Sequence, residues 1–173
     1  MCGLKMFQID LKTLGADGYR LTQRLDDTFF ALVKGEEVQH GDLSVEVAIQ
    51  PVEQAFDVDM KVEGEVQLTC DRCLESYMQP ISATQHLVVT LGDTFEEDEN
   101  TMTLPVEQSE MDLSWLIYEL IVLALPFRHV HAPGNCNPAM MSVLEAHSAN
   151  RSGEERATVD PRWSELEKLK NNI

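Results

Sequence analysis

The chain has 173 residues, of which 43% are hydrophobic and 25% charged, a composition and length that suit one domain with its own core. Thirteen Lys and Arg against thirty Asp and Glu leave a net charge of −17. That balance argues against the usual route to nucleic acid, neutralisation of phosphates by cations, and favours a basic partner or plain solubility. No stretch reaches the roughly 20 apolar residues of a membrane helix. Met1–Asp10 also lacks the basic and apolar regions of a signal peptide, so a cytoplasmic protein with four reduced cysteines is expected.

In chain order, Lys5–Leu11 and Tyr19–Leu25 read as a strand pair across Gly15-Ala16-Asp17-Gly18, and Asp27–Val33 as a short helical turn capped by Asp26 or Asp27. Leu43, Val45, Val47 and Ile49 alternate with polar residues, the period-two signature of a half-buried strand. Phe56, Val58, Met60 and Val62 repeat that pattern, and Val66, Leu68 and Cys70 continue it past Gly64. A glycine there marks a bulge or a bend, giving one kinked strand or two strands that meet. From Tyr77 the positions Ile81, Ala83, Leu87, Val89 and Leu91 carry a further strand, connected to its predecessor through Cys70–Glu75.

Asp93–Asn100 is acidic and reads as a solvated loop, with a short strand at Thr101–Pro105 behind it. The spacing of Leu113, Leu116, Ile117, Leu120, Ile121 and Ala124 predicts a long apolar helix over Asp112–Leu125, with Asp112 as N-cap and Pro126 as terminator. Trp115, Tyr118, Val122 and Leu123 make its other faces apolar too, which fits burial on several sides or an interface; core is the plainer reading. Phe127–Pro138 is rich in turn residues, Ser148–Asp160 reads as a flexible linker, and Asp160–Lys170 as a C-terminal helix with Pro161 in its first turn. The expected architecture is α+β: an antiparallel, barrel-like sheet from the N-terminal half, packed with the long apolar helix and the C-terminal helix. Residues 1–147 form one domain and 148–173 a linker with the terminal helix.

One motif carries chemistry, Cys70-Asp71-Arg72-Cys73. Two thiolates at this spacing point the same way from a tight turn and can chelate one ion. A redox pair uses the same spacing, but at a helix start in a thioredoxin-like unit rather than after a strand. A closed site needs four ligands. Cys136, with His129 or His131, could complete a Cys3His set such as Cys70, Cys73, His131 and Cys136. A structural turn with free thiols is the plainer reading, so no cofactor is expected, and zinc is the ion such a set would take. Serine-hydrolase, phosphate-loop and metalloprotease signatures are missing, and the five histidines form no recognisable triad. The chain therefore reads as non-catalytic.

Leu68-Thr69-Cys70-Asp71-Arg72-Cys73-Leu74-Glu75 after a glycine-kinked strand resembles the central motif of the YceD (DUF177) family. Asp112-Leu113-Ser114-Trp115-Leu116-Ile117-Tyr118-Glu119-Leu120-Ile121 through Pro126 resembles its downstream segment, and Asp160-Pro161-Arg162-Trp163 with Leu166 and Leu169 its ending. The pattern looks like that of members from Bacteroidetes-type bacteria. Many members carry a richer cysteine cluster after the Pro-ended helix, where this chain keeps Cys136. That departure either removes a metal site or makes His131 its substitute ligand.

The resemblance implies a part in accumulation of large-subunit ribosomal RNA, hence a non-catalytic accessory factor in ribosome biogenesis. Its partner would be a basic ribosomal protein or a large-subunit precursor, an acidic chain being better suited to escort a basic protein than to contact RNA directly. The expected binding surface is Arg72, Leu74 and Glu75 with Phe127 and Arg128 of the following loop. A zinc-containing nucleic-acid-binding module and a thiol oxidoreductase are the competing readings. The oligomeric state and the identity of the ribosomal component stay open.

Overall fold

A computed structural model of the chain describes residues 5–148. Its elements run β1 (Gln8–Asp10), β2 (Tyr19–Leu25), α1 (Asp27–Val33), β3 (Gly41–Val52), β4 (Ala55–Thr69), β5 (Ser76–Gly92), β6 (Glu96–Asp98), β7 (Thr101–Pro105), β8 (Glu110–Asp112), α2 (Leu113–Leu123) and α3 (Pro138–His147). The class is α+β. Six strands form one open sheet in the order β2-β3-β4-β5-β7-β6, and β1 pairs with β8 in a separate two-stranded ribbon. The sheet is neither a barrel nor wholly antiparallel: β2 and β6 remain its two edges, and β5 pairs with β7 in parallel. The C-terminal helix expected at Asp160–Lys170 lies outside the described residues.

The alternation in the sequence is the alternation of the sheet. Val45 stands opposite Val62, Val47 opposite Met60 and Ile49 opposite Val58, and all six are buried. The intervening positions face water, as expected of an antiparallel sheet packed on one side. The β3–β4 and β4–β5 registers run unbroken through Gly64, which stands opposite both Leu43 and Ile81. There is no bulge. Gly64 is required by close approach: at φ +149, an added Cβ would lie 2.3 Å from the Asp42 carbonyl oxygen and 2.6 Å from Leu43 Cα.

Three further expectations change. Lys5–Leu11 is not the partner of β2. Residues 8–10 instead pair with 110–112, Ile9 opposite Met111, while β2 pairs along the whole of its length with β3. The local glycine turn suggested a hairpin, but the open flank of β3 offers β2 a longer ladder. The acidic segment, expected as a loop, contains β6, a three-residue edge strand on β7. Finally, α2 is not long: it spans eleven residues and its helical geometry ends before Leu125, where Pro126 disfavours the helical conformation of the preceding residue.

Asp112 caps α2 by accepting a bond from the Ser114 N–H at 2.9 Å. Leu113, Ile117 and Ile121, one turn apart, are completely buried, and the helix packs against β4, β5, β1 and α1. Tyr118 on the same helix does more than fill space. Its hydroxyl accepts bonds from the backbone N–H of Glu37 and of Val38, both at 3.1 Å, so the α1–β3 connection is tied to α2. Gly35 leaves room for that ring, since a Cβ there would lie 1.9 Å from Tyr118 Cζ.

Replacing Tyr118 by Phe leaves those N–H groups without their acceptor, and we expect a loss of about 1–3 kcal/mol in urea unfolding; an unchanged midpoint would mean that other acceptors serve them. Gly64→Ala should cost about 1–3 kcal/mol from the strained backbone, plus the clash with the neighbouring strand, measured the same way. A Gly64→Ala chain as stable as the parent would contradict the close approach of β3.

Candidate metal centre

The connection between β4 and β5 is a tight loop built on two backbone bonds. The Cys70 N–H donates to the Glu75 carbonyl and the Leu74 N–H to the Cys70 carbonyl, each at 2.9 Å. Closing it puts Leu74 at φ +60, a left-handed conformation uncommon for a residue with a bulky side chain. That side chain is 68% exposed, whereas Cys70 and Cys73 beneath it are buried. Both sulfurs face inward from the same turn.

A second loop comes to meet it. Pro126 ends the α2 segment, Asn135 N–H closes a turn on the Ala132 carbonyl at 3.0 Å, and Asn137 opens α3 by accepting from the Ala139 N–H at 2.9 Å. Three hydrogen bonds, at two places, hold this loop on the first. Asp71 N–H donates to the His129 carbonyl at 2.6 Å, and His129 N–H donates back to the Asp71 carboxylate at 2.8 Å. At the other end the Asn137 amide donates to the Glu75 carboxylate at 2.6 Å.

Between these clamps Cys70, Cys73, His131 and Cys136 converge, with one ligand atom from each and all four atoms within 4.8 Å of one another. Cys70 Sγ lies 3.9 Å from Cys136 Sγ, Cys73 Sγ 3.3 Å from His131 Nδ1, and Cys136 Sγ 3.9 Å from the same nitrogen. A tetrahedral ion with ordinary sulfur and nitrogen bonds separates its ligands by about 3.6–3.8 Å, so the cluster has the size of a four-ligand shell and could hold a metal. The three cysteines are free thiols.

The electrostatics agree with such a role. Burial pushes the Cys70 thiol up, but bonds from the backbone N–H groups of Cys73, His131 and Arg72 and from the His131 ring outweigh it and bring it down to about 5. The Cys136 thiol moves the opposite way, raised by burial and by its sulfur neighbours Cys70 and Cys73. Negative charge on one sulfur disfavours it on the next, and a cation is what relieves the conflict. Tyr77 lies against His131, ring centroids 5.1 Å apart. Its hydroxyl is pushed up by burial and by the charges of Cys70 and Asp71.

All four metal-ligand candidates read from the sequence are therefore brought together, with His131 in place of the alternative His129. Arg72, Leu74 and Glu75 share the first loop, and Phe127 and Arg128 are exposed on the second. Glu75 is occupied by Asn137. The sequence reading missed the residues that join the loops. Asn137-Pro138 carries a helix-start signal that could have flagged Asn137; Asp71 and the backbone of His129 carry none.

A family model described as "Large ribosomal RNA subunit accumulation protein YceD" matches residues 58–170. No curated protein and no solved structure matches the chain. Among the described residues no helix is long and apolar enough to cross a membrane.

We expect the purified chain to bind one Co²⁺ or Zn²⁺, measured by competition with a chromophoric chelator. Asp71→Ala removes no ligand but opens the clamp, and should weaken binding by about 10–100-fold, the usual cost of losing an outer-sphere partner. An Asp71→Ala chain with parental affinity would show that the loops converge without it.

Proposed function

The chain belongs to the YceD family, and we propose that it is a non-catalytic accessory factor in ribosome biogenesis that supports accumulation of large-subunit ribosomal RNA by binding a basic ribosomal partner. The observation that carries this reading is the family match from residue 58 to residue 170, which contains both loops of the cysteine–histidine cluster. The family's name itself states the role in large-subunit RNA accumulation.

Zinc is the ion that best suits three thiolates and an imidazole, and a closed set of four ligands is the pattern of structural rather than catalytic sites. Its task is to lock two loops whose outer surface carries Arg72, Leu74, Phe127 and Arg128. Phe127 is fully exposed and Leu74 is held outward in a left-handed conformation, an arrangement that suits contact with another molecule. The net charge of −17 favours a basic ribosomal protein, or a precursor particle through such a protein, over bare RNA. The site of action is accordingly the cytoplasm.

The competing readings have less support. Asp71 and Glu75 stand beside Arg72 in the same loop, so the cations around the cluster do not form the basic stripe of a nucleic-acid module. Thiol exchange needs an accessible sulfur, whereas Cys70 and Cys73 are buried.

Depletion of the protein followed by sucrose-gradient analysis and quantification of ribosomal RNA tests the reading. The expected outcome is a selective shortage of large subunits and their RNA with small subunits in excess. A normal profile under verified depletion would refute it.

A further inference from the structure

Helix α2 has two apolar faces, and the core uses one. On the other, Trp115, Glu119, Val122 and Leu123 fall at helical spacing along one stripe; Trp115 is 49% and Leu123 79% exposed. Trp115 is held in place, its indole N–H donating to the Glu119 carboxylate at 2.6 Å and its ring tilted against Tyr118 with centroids 5.7 Å apart. With the α1–β3 connection this stripe forms an open hollow of about 690 Å³, bordered by Lys34, Gly35, Glu36 and Glu37.

The hollow is apolar at its floor and acidic at its rim. Glu36 and Glu37 are exposed, and among the described residues no salt bridge involves them or Glu119. Lys34 is the single cation against three carboxylates. The rim is rigid where it matters, because Glu37 and Val38 N–H are bonded to the Tyr118 hydroxyl. A held aromatic anchor bordered by carboxylates that lack a salt-bridge partner among the described residues meets the requirements of a protein-recognition surface.

We infer that the Trp115–Leu123 face of α2 is a docking surface for a Lys- and Arg-rich segment of a partner protein, which lays apolar side chains on Trp115, Val122 and Leu123 and pairs its cations with Glu36, Glu37 and Glu119. Charge selects this occupant. A second copy of the chain would bring the same three carboxylates and a net charge of −17 against the first, at a cost in like-charge repulsion. Residues 160–173 carry Asp160, Glu165 and Glu167 against Arg162, Lys168 and Lys170, so they have no net positive charge to offer the rim. Nucleic acid would place phosphates on carboxylates. The inference rests on the ribosomal reading for the source of the partner, and it adds a surface that adjoins the two loops of the cluster, since Glu36 and Glu37 also border a hollow lined by Cys70, Asp71, Leu74 and His129.

The test places a photo-crosslinking side chain at position 123 of the full-length chain, where exposure makes the exchange harmless to the fold. The probe is the protein fraction stripped from purified large ribosomal subunits. The expected result is an adduct with a basic polypeptide that falls about tenfold or more when Glu36 and Glu37 are replaced by Lys, or when salt is raised. Adducts only with ribosomal RNA, with a second copy or with residues 149–173, or no adduct, would overturn the assignment. Rescue of depleted cells separates the two conclusions. If depletion produces the large-subunit shortage and Leu123→Glu restores it fully, the surface is wrong and the ribosomal reading stands. If depletion leaves the profile normal, the ribosomal reading falls and the crosslink still decides the surface.

Discussion

The reciprocal bond between Asp71 and His129 is the constraint on which the centre depends. One backbone N–H and one carboxylate on the first loop meet a carbonyl and an N–H on the second, 58 positions along the chain. Two segments so far apart do not stay together for a pair of hydrogen bonds alone, because each such bond contributes only about 1 kcal/mol net. The sheet and α2 have already brought the loops near each other, and the bond then sets their register. Once His129 is fixed, His131 follows two residues on and Cys136 is carried in by the turn at Ala132–Asn135. The Asn137–Glu75 bond closes the far end.

This placement ties each loop of the centre to a long or well-buried element. β4 and β5 are the longest strands, with fifteen and seventeen residues, and the cysteine loop is the turn between them. A turn at the end of a long, well-packed ladder has little freedom, and Gly64 lets β3 lie close enough to complete that ladder on one side. The second loop has a comparable anchor in α2, whose Leu113, Ile117 and Ile121 are fully buried. Each half of the centre thus hangs from a rigid element, the arrangement that keeps ligand atoms near a productive geometry.

Tyr118 links this frame to the neighbouring α1–β3 connection. Its ring lies in the core while its hydroxyl organises the chain after α1, including the two glutamates that border the hollow over Trp115. One helix therefore serves three purposes along its length: a buried stripe, a polar bond to a distant backbone, and an exposed aromatic face. The mixed apolar character of α2 in the sequence has its physical reason in that division.

Much of this was legible without coordinates. The period-two rows of β3, β4 and β5, the Asp112 cap, and the strand at Thr101–Pro105 follow from local rules, because side-chain alternation and capping act over a few residues. The same holds for the four ligand types, since chemistry alone picks cysteine and histidine. Non-local matters were not legible. That β1 pairs with β8, that the sheet stays open, that His131 and not His129 enters the cluster, and that Trp115 and Leu123 face outward all depend on which surfaces meet after the chain has travelled tens of residues. Local sequence specifies which faces need burial; only the packed structure decides which partner buries them, because that choice compares the free energies of whole alternative arrangements.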